Sequence, residues 1–208
     1  MPLITKLQPQ RRSADRFNLF IDGHYLFPLP LELVVKYHLE TGKALTQTQL
    51  HDLNFQAVFY FLWEKILNYL SFRPRSVLEV KRRLHHYLQT LDFYMGDRQV
   101  LIETLLSKLL NRHLLDDYDF VVWFLRGRLQ NKLKSRRELI QELSQKGIDV
   151  DLVDQVLVQL NFDEKSVLKR LLTKKARHYS SPRQLIAYLT RRGFSYVLVR
   201  QTTAEFFN

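Results

Sequence analysis

A ten-residue segment that recurs three times constrains this chain more than any other feature. Arg75-Ser76-Val77-Leu78-Glu79-Val80-Lys81-Arg82-Arg83-Leu84 returns as Lys134-Ser135-Arg136-Arg137-Glu138-Leu139-Ile140-Gln141-Glu142-Leu143. It returns again as Ser180-Ser181-Pro182-Arg183-Gln184-Leu185-Ile186-Ala187-Tyr188-Leu189. Each copy holds a Ser, a Glu or Gln three residues later, and apolar residues four and eight after the Ser. That spacing is a capping box opening an amphipathic helix, in which the hydroxyl and the Glu/Gln side chain satisfy backbone N–H groups that the helix leaves without partners. The copies mark a repeating unit of about three to four dozen residues, and repeats of that size mean stacked helical units that build a surface, rather than one enclosed active site.

The sequence around each copy predicts a three-helix module. First helices carry Phe55, Leu62, Ile66 and Tyr69; then Phe120, Trp123 and Phe124 from about Asp119; then Val167, Leu168, Leu171 and Leu172 from about Asp163. The capping-box copies are the second helices. Third helices begin after Gly147-Ile148-Asp149 and Gly193-Phe194-Ser195, where Gly suits the left-handed position just past a helix and Asp149 or Ser195 caps the next one. Ile148 with Val153, and Phe194 with Val199, have hydrophobic-staple spacing. The expected third helices run from Val150 to Leu160 and from Tyr196 to Phe207.

The first module is irregular. Leu88 stands where Gly is expected, so its second helix is predicted to run on toward Asp92, with Gly96-Asp97 as the stop and Asp97 capping a third helix through Leu110. The extension would carry Tyr87, Leu91, Phe93 and Tyr94, packed on the N-terminal unit or the neighbouring module.

Residues 1–53 read differently. Phe17-Asn18-Leu19-Phe20-Ile21 and His24-Tyr25-Leu26-Phe27 are β-prone runs joined by Asp22-Gly23, the strongest short hairpin signal, and Ile4 to Leu7 offers a third strand. Pro28 and Pro30 end the strands. A short helix from about Leu31 to Leu39 follows, stopped near Gly42, and Thr46-Gln47-Thr48-Gln49 opens another. The expected fold is therefore mostly α: an N-terminal β-hairpin and short-helix unit (1–53), then three-helix repeats over 54–115, 116–161 and 162–208 in an elongated array.

Charge is uneven. Residues 1–54 carry 6 Lys+Arg and 5 Asp+Glu, so all but one of the +11 net charges fall on residues 55–208. A basic body points to a polyanion or an acidic protein surface, or simply to solubilising helix faces. The clusters Lys81-Arg82-Arg83, Lys132-Lys134-Arg136-Arg137 and Arg183 with Arg191-Arg192 occupy related places in the three modules, with Arg73 and Arg75 just ahead of the first. These are the candidate partner- or DNA-binding residues.

Candidate chemistry is sparse. No Cys is present, which excludes disulfides and thiolate metal sites. Adjacent His85-His86 diverge by about 100° on a helix and make a poor metal pair. Asp116-Asp117-Tyr118-Asp119 reads as first-turn acids complementing a helix dipole rather than as a cation site. Phosphate loops, nucleophile elbows and paired-carboxylate motifs are missing, most aromatics fall at helical spacing and are assigned to the core, and no run is long enough to span a membrane. The chain reads as a cytoplasmic monomer with no catalytic or metal site.

Several segments resemble the RecX regulatory proteins of bacteria. Ile4-Thr5-Lys6-Leu7-Gln8-Pro9-Gln10-Arg11-Arg12 with Asp15-Arg16-Phe17-Asn18-Leu19-Phe20-Ile21-Asp22-Gly23 is similar to the N-terminal hairpin of longer members. Leu70-Ser71-Phe72-Arg73-Pro74-Arg75-Ser76, Leu114-Leu115-Asp116-Asp117-Tyr118-Asp119-Phe120, Arg136-Arg137-Glu138-Leu139, Gln145-Lys146-Gly147-Ile148 and Leu189-Thr190-Arg191-Arg192-Gly193-Phe194 resemble successive family segments. The resemblance implies a protein without cofactor that lodges along the RecA–single-strand DNA filament, opposing its growth and inhibiting ATP hydrolysis, strand exchange and co-protease activity. The alternative is a free-standing, non-specific DNA-binding protein, because three-helix units also resemble helix-turn-helix domains. Against base reading, the third helices are apolar or acidic.

Overall fold

The structure, a computed structural model, describes residues 1–11, 13–94, 96–179 and 181–207. Arg12 and Ser180, quoted above within motifs, lie outside the described residues. Asp22 and Gly23 both take positive φ (49° and 85°), the requirement of the tight turn that joins β2 (Ser13–Ile21) to β3 (His24–Pro30). β1 (Ile4–Gln10) pairs antiparallel with the other edge of β2, giving the order β1-β2-β3. Leu19 lies opposite both Leu7 and Phe27, which sets the apolar face of the sheet. Ile4, Leu19, Ile21, Phe27 and Leu29 are buried there beneath α1 (Leu31–Lys36) and α2 (Gln47–Ser71).

α1 is shorter than expected. Tyr37 ends it and His38 takes φ +47°, so that the Leu39 N–H donates back to the Val34 carbonyl at 2.9 Å. The Thr46 start holds, with the full capping box closed by Gln49. Sequence reading placed a boundary after residue 53, but α2 runs through it. Leu50, Leu53 and Ala57 on the same helix face the sheet, and Leu62 and Ile66 are buried further along.

The chain then runs through α3 (Val77–Gln89), α4 (Arg98–Asn111), α5 (Asp117–Asn131), α6 (Arg136–Ser144), α7 (Val150–Gln159), α8 (Glu164–Lys175), α9 (Pro182–Arg191) and α10 (Tyr196–Phe207). It is a mostly helical protein with a small N-terminal sheet. Two compact units are present, one of Met1–Arg73 with Glu79–Leu114 and the other of Pro74–Leu78 with Leu115–Asn208. Within the second unit, α5 to α7 share one apolar core and α8 to α10 another. Ile148 and Val153 are buried in the former, Phe194 and Val199 in the latter, as their staple spacing requires. Trp123, placed with the core aromatics by spacing, is instead 42% exposed.

The irregular first module needs one correction. α3 stops at Gln89 instead of continuing toward Asp92, closed by the Thr90 hydroxyl donating to the Tyr87 carbonyl at 2.7 Å. The residues beyond it still pack as expected. Leu91 and Tyr94 are buried, Phe93 stacks on Phe27 of β3 at 6.0 Å, and the Asn54 amide donates to the Phe93 carbonyl at 3.0 Å. Asp97 caps α4 by accepting from the Gln99 and Val100 N–H groups. An irregular segment places Phe93 on the sheet where a continuing helix would carry it past. Phe93→Ala should therefore destabilise the protein by about 2 kcal/mol, less than a fully buried Phe because this one is half-buried. Urea unfolding that shows no change would mean this segment does not anchor the sheet.

Candidate partner interface

The start of α6 is a junction as well as a cap. The buried Ser135 accepts from the Glu138 N–H at 3.2 Å, and Glu138 returns to the Ser135 N–H at 3.0 Å. The hydroxyl proton of Ser135 goes elsewhere, to the Arg192 carbonyl at the end of α9, at 2.7 Å. Ser76 makes the same contact one module earlier, donating to the Lys146 carbonyl at the end of α6 at 2.8 Å. The residue after each serine also donates its N–H to an acid opening the next module: Val77 to Asp117 Oδ1 at 2.9 Å, and Arg136 to Glu164 Oε1 at 2.7 Å. Two junctions thus share one design, in which helix N-terminal donors meet a carboxylate and a helix-end carbonyl.

Asp116 and Asp117 divide the work that sequence reading gave to them jointly. Asp116 caps α5, accepting from the Tyr118 N–H at 2.7 Å, whereas Asp117 serves the start of α3. Burial pushes the Asp117 carboxyl up from its usual value, against the pull of the Val77 hydrogen bond. The junction bond gives a direct comparison. Ser135→Ala removes both the cap and the bond to the Arg192 carbonyl and should cost about 2–3 kcal/mol, whereas Ser181→Ala, whose hydroxyl accepts from the Gln184 N–H at 3.4 Å, should cost about 1 kcal/mol. Equal losses in chemical denaturation would show that the junction bond contributes nothing.

Several of the predicted site cations turn inward to carboxylates. Arg73 forks onto Glu79 at 3.0 and 3.1 Å. Lys134 and Arg128 converge on Glu142, and Arg136 pairs with Asp154, its Nε at 2.8 Å. Arg192 binds both oxygens of Glu138 at 2.9 and 3.0 Å and the Leu133 carbonyl at 3.1 Å, bridging α9 to the start of α6. Arg83 lies between the rings of Tyr69 and Tyr87, at 5.4 and 4.6 Å. Arg75 is half-buried.

The remaining candidates face outward. Arg82, Lys132, Arg137, Arg183 and Arg191 are exposed and Lys81 is half-exposed. Among the described residues, Lys81, Lys132, Arg137 and Arg183 make no ion pair. His85 and His86 are exposed, and no cluster of three or more His, Asp or Glu side chains is placed to hold a metal ion among the described residues. Sequence reading missed Arg170 and Lys174, which stand exposed on α8. In the sequence their helix shows only an apolar face, and what distinguishes them in the structure is that the neighbouring Lys165 and Lys169 pair with Glu205.

The Glu142 carboxyl is raised by burial, but hydrogen bonds from Lys134 and Arg128, together with their charges, outweigh that and hold it below its usual 4.5. A carboxylate with a depressed folded value adds stability above pH 4.5 and loses it as pH falls through that lowered value. Glu142→Gln should therefore be less stable than the parent near neutral pH, with the gap closing as acid protonates Glu142. A gap unchanged down to pH 3 (about one to two units below the usual value) would show that the triad is not coupled to folding.

Helices joined by a repeated serine–carbonyl junction, with exposed cations on their outer faces, define a modular helical protein with a small N-terminal sheet. Comparison with known proteins agrees. Residues 2–46 match the regulatory protein RecX N-terminal domain, and residues 116–157 match the second three-helix domain of RecX. The regulatory protein RecX of Bacillus licheniformis is 28% identical over 99% of this chain and 78% of its own length, and that of Bacillus subtilis is 26% identical over 96% and 75%. A crystal structure of a regulatory protein RecX superposes with a TM-score of 0.70 at 23% identity, covering 98% of this chain and 100% of that one. RecX from Lactobacillus salivarius gives 0.59 at 25% identity, over 71% and 95%. Two RecX domain models thus match separate parts of this chain, and regulatory RecX proteins resemble it over nearly its whole length.

Proposed function

We propose that this protein binds the RecA–single-strand DNA filament and restrains its ATPase, strand-exchange and co-protease activities. The observation that carries this reading is the match to regulatory RecX proteins along nearly the whole chain, through both the sheet unit and the helical modules. The unpaired outward cations support it, since a filament of protein and DNA presents carboxylates and phosphates in a repeating array. In this reading the protein acts as a cytoplasmic monomer, adds no chemistry of its own and needs no cofactor. Its three-helix modules, taken as 54–115, 116–161 and 162–208, supply repeated contacts. No helix among the described residues is long and apolar enough to cross a membrane.

The test is RecA ATPase on single-stranded DNA with this protein added to preformed filaments. Inhibition below one copy per RecA is expected, and unchanged ATPase, filament length and strand exchange at excess protein would reject the reading. A free-standing DNA-binding protein, which the cationic surface also allows, would inhibit only when it outnumbers the DNA sites.

A further inference from the structure

We propose that a groove in the second unit, between the α5–α6 link and α8, binds the phosphodiester backbone of single-stranded nucleic acid through Lys132, Arg170 and Lys174. The inference deepens the reading above and rests on its nucleic-acid half. The groove encloses about 430 Å3 and is lined by Gln130, Lys132, Leu133, Arg170, Thr173 and Lys174. No carboxylate lines it.

Its cations are unusual in this molecule. On α8, Lys165 and Lys169 reach Glu205 of α10 at 2.9 and 3.4 Å. Arg170 and Lys174, on the groove side, make no ion pair among the described residues, and neither does Lys132 opposite. Three positive groups brought together without a counter-charge repel one another, and an anion in the groove would relieve that repulsion. Arg170 and Lys174 are one helical turn apart, roughly 6 Å between their Cβ atoms, so each can engage a separate phosphate of a flexible strand.

The far wall is held in place. The Lys132 N–H donates to the Arg128 carbonyl at 2.8 Å, the Leu133 carbonyl accepts from Arg192, Leu133 packs into the α8–α10 core, and Lys134 is tied to Glu142. The Lys132 side chain therefore leaves a fixed backbone, which lowers the ordering cost of binding. The lining favours nucleic acid over an acidic protein surface. Protein contacts of useful strength centre on buried aromatic or apolar anchors, and here Leu133, itself half-buried, is the sole apolar side chain.

The experiment uses the full chain carrying Arg170→Glu and Lys174→Glu, with fluorescein-labelled oligothymidine as the probe and anisotropy as the readout, in the absence of RecA. Affinity should fall tenfold or more, and the slope of log affinity against log salt should shrink by about 1.4, two phosphate contacts at about 0.7 each. The control is Arg126→Glu with Arg200→Glu, exposed positions outside the groove that change net charge equally. It should lose less than threefold. Thermal melts establish that both variants fold, and Lys132→Ala supplies an independent variant if the double reversal does not. Equal losses in groove and control variants overturn the proposal, as does polyglutamate displacing the probe as well as unlabelled oligothymidine does. A parent protein that ignores oligothymidine yet inhibits RecA ATPase overturns the groove and leaves the filament reading standing. One that binds oligothymidine through these residues but leaves the ATPase untouched does the reverse.

Discussion

Gly193→Ala should destabilise this protein by about 3–4 kcal/mol, far more than the same change at Gly42. Both glycines sit at φ +90°, where an L-residue costs about 1–2 kcal/mol. A Cβ at Gly42 would meet nothing within 4 Å, whereas at Gly193 it would lie 2.8 Å from the Ser135 hydroxyl and 3.0 Å from Arg137 Cβ. Those atoms belong to the junction and cannot withdraw without breaking the Ser135 bond to the Arg192 carbonyl, so overpacking adds about 1–3 kcal/mol. Gly147→Ala should behave alike, since its Cβ would come within 2.8 Å of Leu78 Cβ. The difference between variants reads most directly as melting temperature, with Gly193→Ala falling about 6–12 °C below the parent. Equal losses at Gly193 and Gly42 would mean that backbone conformation alone, and not the close approach, selects glycine there.

The second large effect concerns Arg192. Arg192→Ala should cost about 2–3 kcal/mol, because it removes the counter-charge of Glu138 and the donor to the Leu133 carbonyl at a half-buried junction. Arg183→Ala, exposed on α9 and making no ion pair among the described residues, should change stability by less than about 0.5 kcal/mol. Any loss of partner binding in the Arg192 variant then follows from a displaced α5–α6 link, not from a removed contact. Chemical denaturation of the two variants decides between the roles. Should Arg192→Ala keep full stability while losing binding, Arg192 would be an interface residue after all.

Much of the architecture was legible in the residues themselves, because it depends on neighbours close in sequence. Thr46 with Gln49 and Ser135 with Glu138 satisfy donors three residues away, so spacing alone located those helix starts. Asp22-Gly23 located the hairpin for the same reason, since positive φ is a property of the residue pair. The N-cap roles of Asp97, Asp149 and Asp163 are equally local. The end of α3 is not legible in this way, because Leu88 shows only that no glycine stop stands there. That helix stops on a Thr90 hydroxyl, while Phe93 packs on the sheet core and Leu91 and Tyr94 are buried.

The candidate interface was less legible. Composition and recurrence pointed to cations on the second helices, and charge alone does not reveal which carboxylate lies within reach. Glu79, Glu138, Glu142 and Asp154 neutralise Arg73, Arg192, Lys134 and Arg136, and Glu205 neutralises Lys165 and Lys169 from a helix 36 or more residues away in the chain.

By itself, the sequence determined the helical class, the N-terminal hairpin and the caps that begin most helices, because each rests on backbone donors and dihedral preferences within a few residues. Tertiary structure alone decided why glycine ends α6 and α9 when His113 and Asn161 serve at the same left-handed position after α4 and α7. His113 and Asn161 have room outside for a side chain, whereas Gly147 and Gly193 meet Leu78 and Ser135 from the preceding module. It also decided which cations stay unpaired, because an ion pair depends on where two distant helices bring their charges.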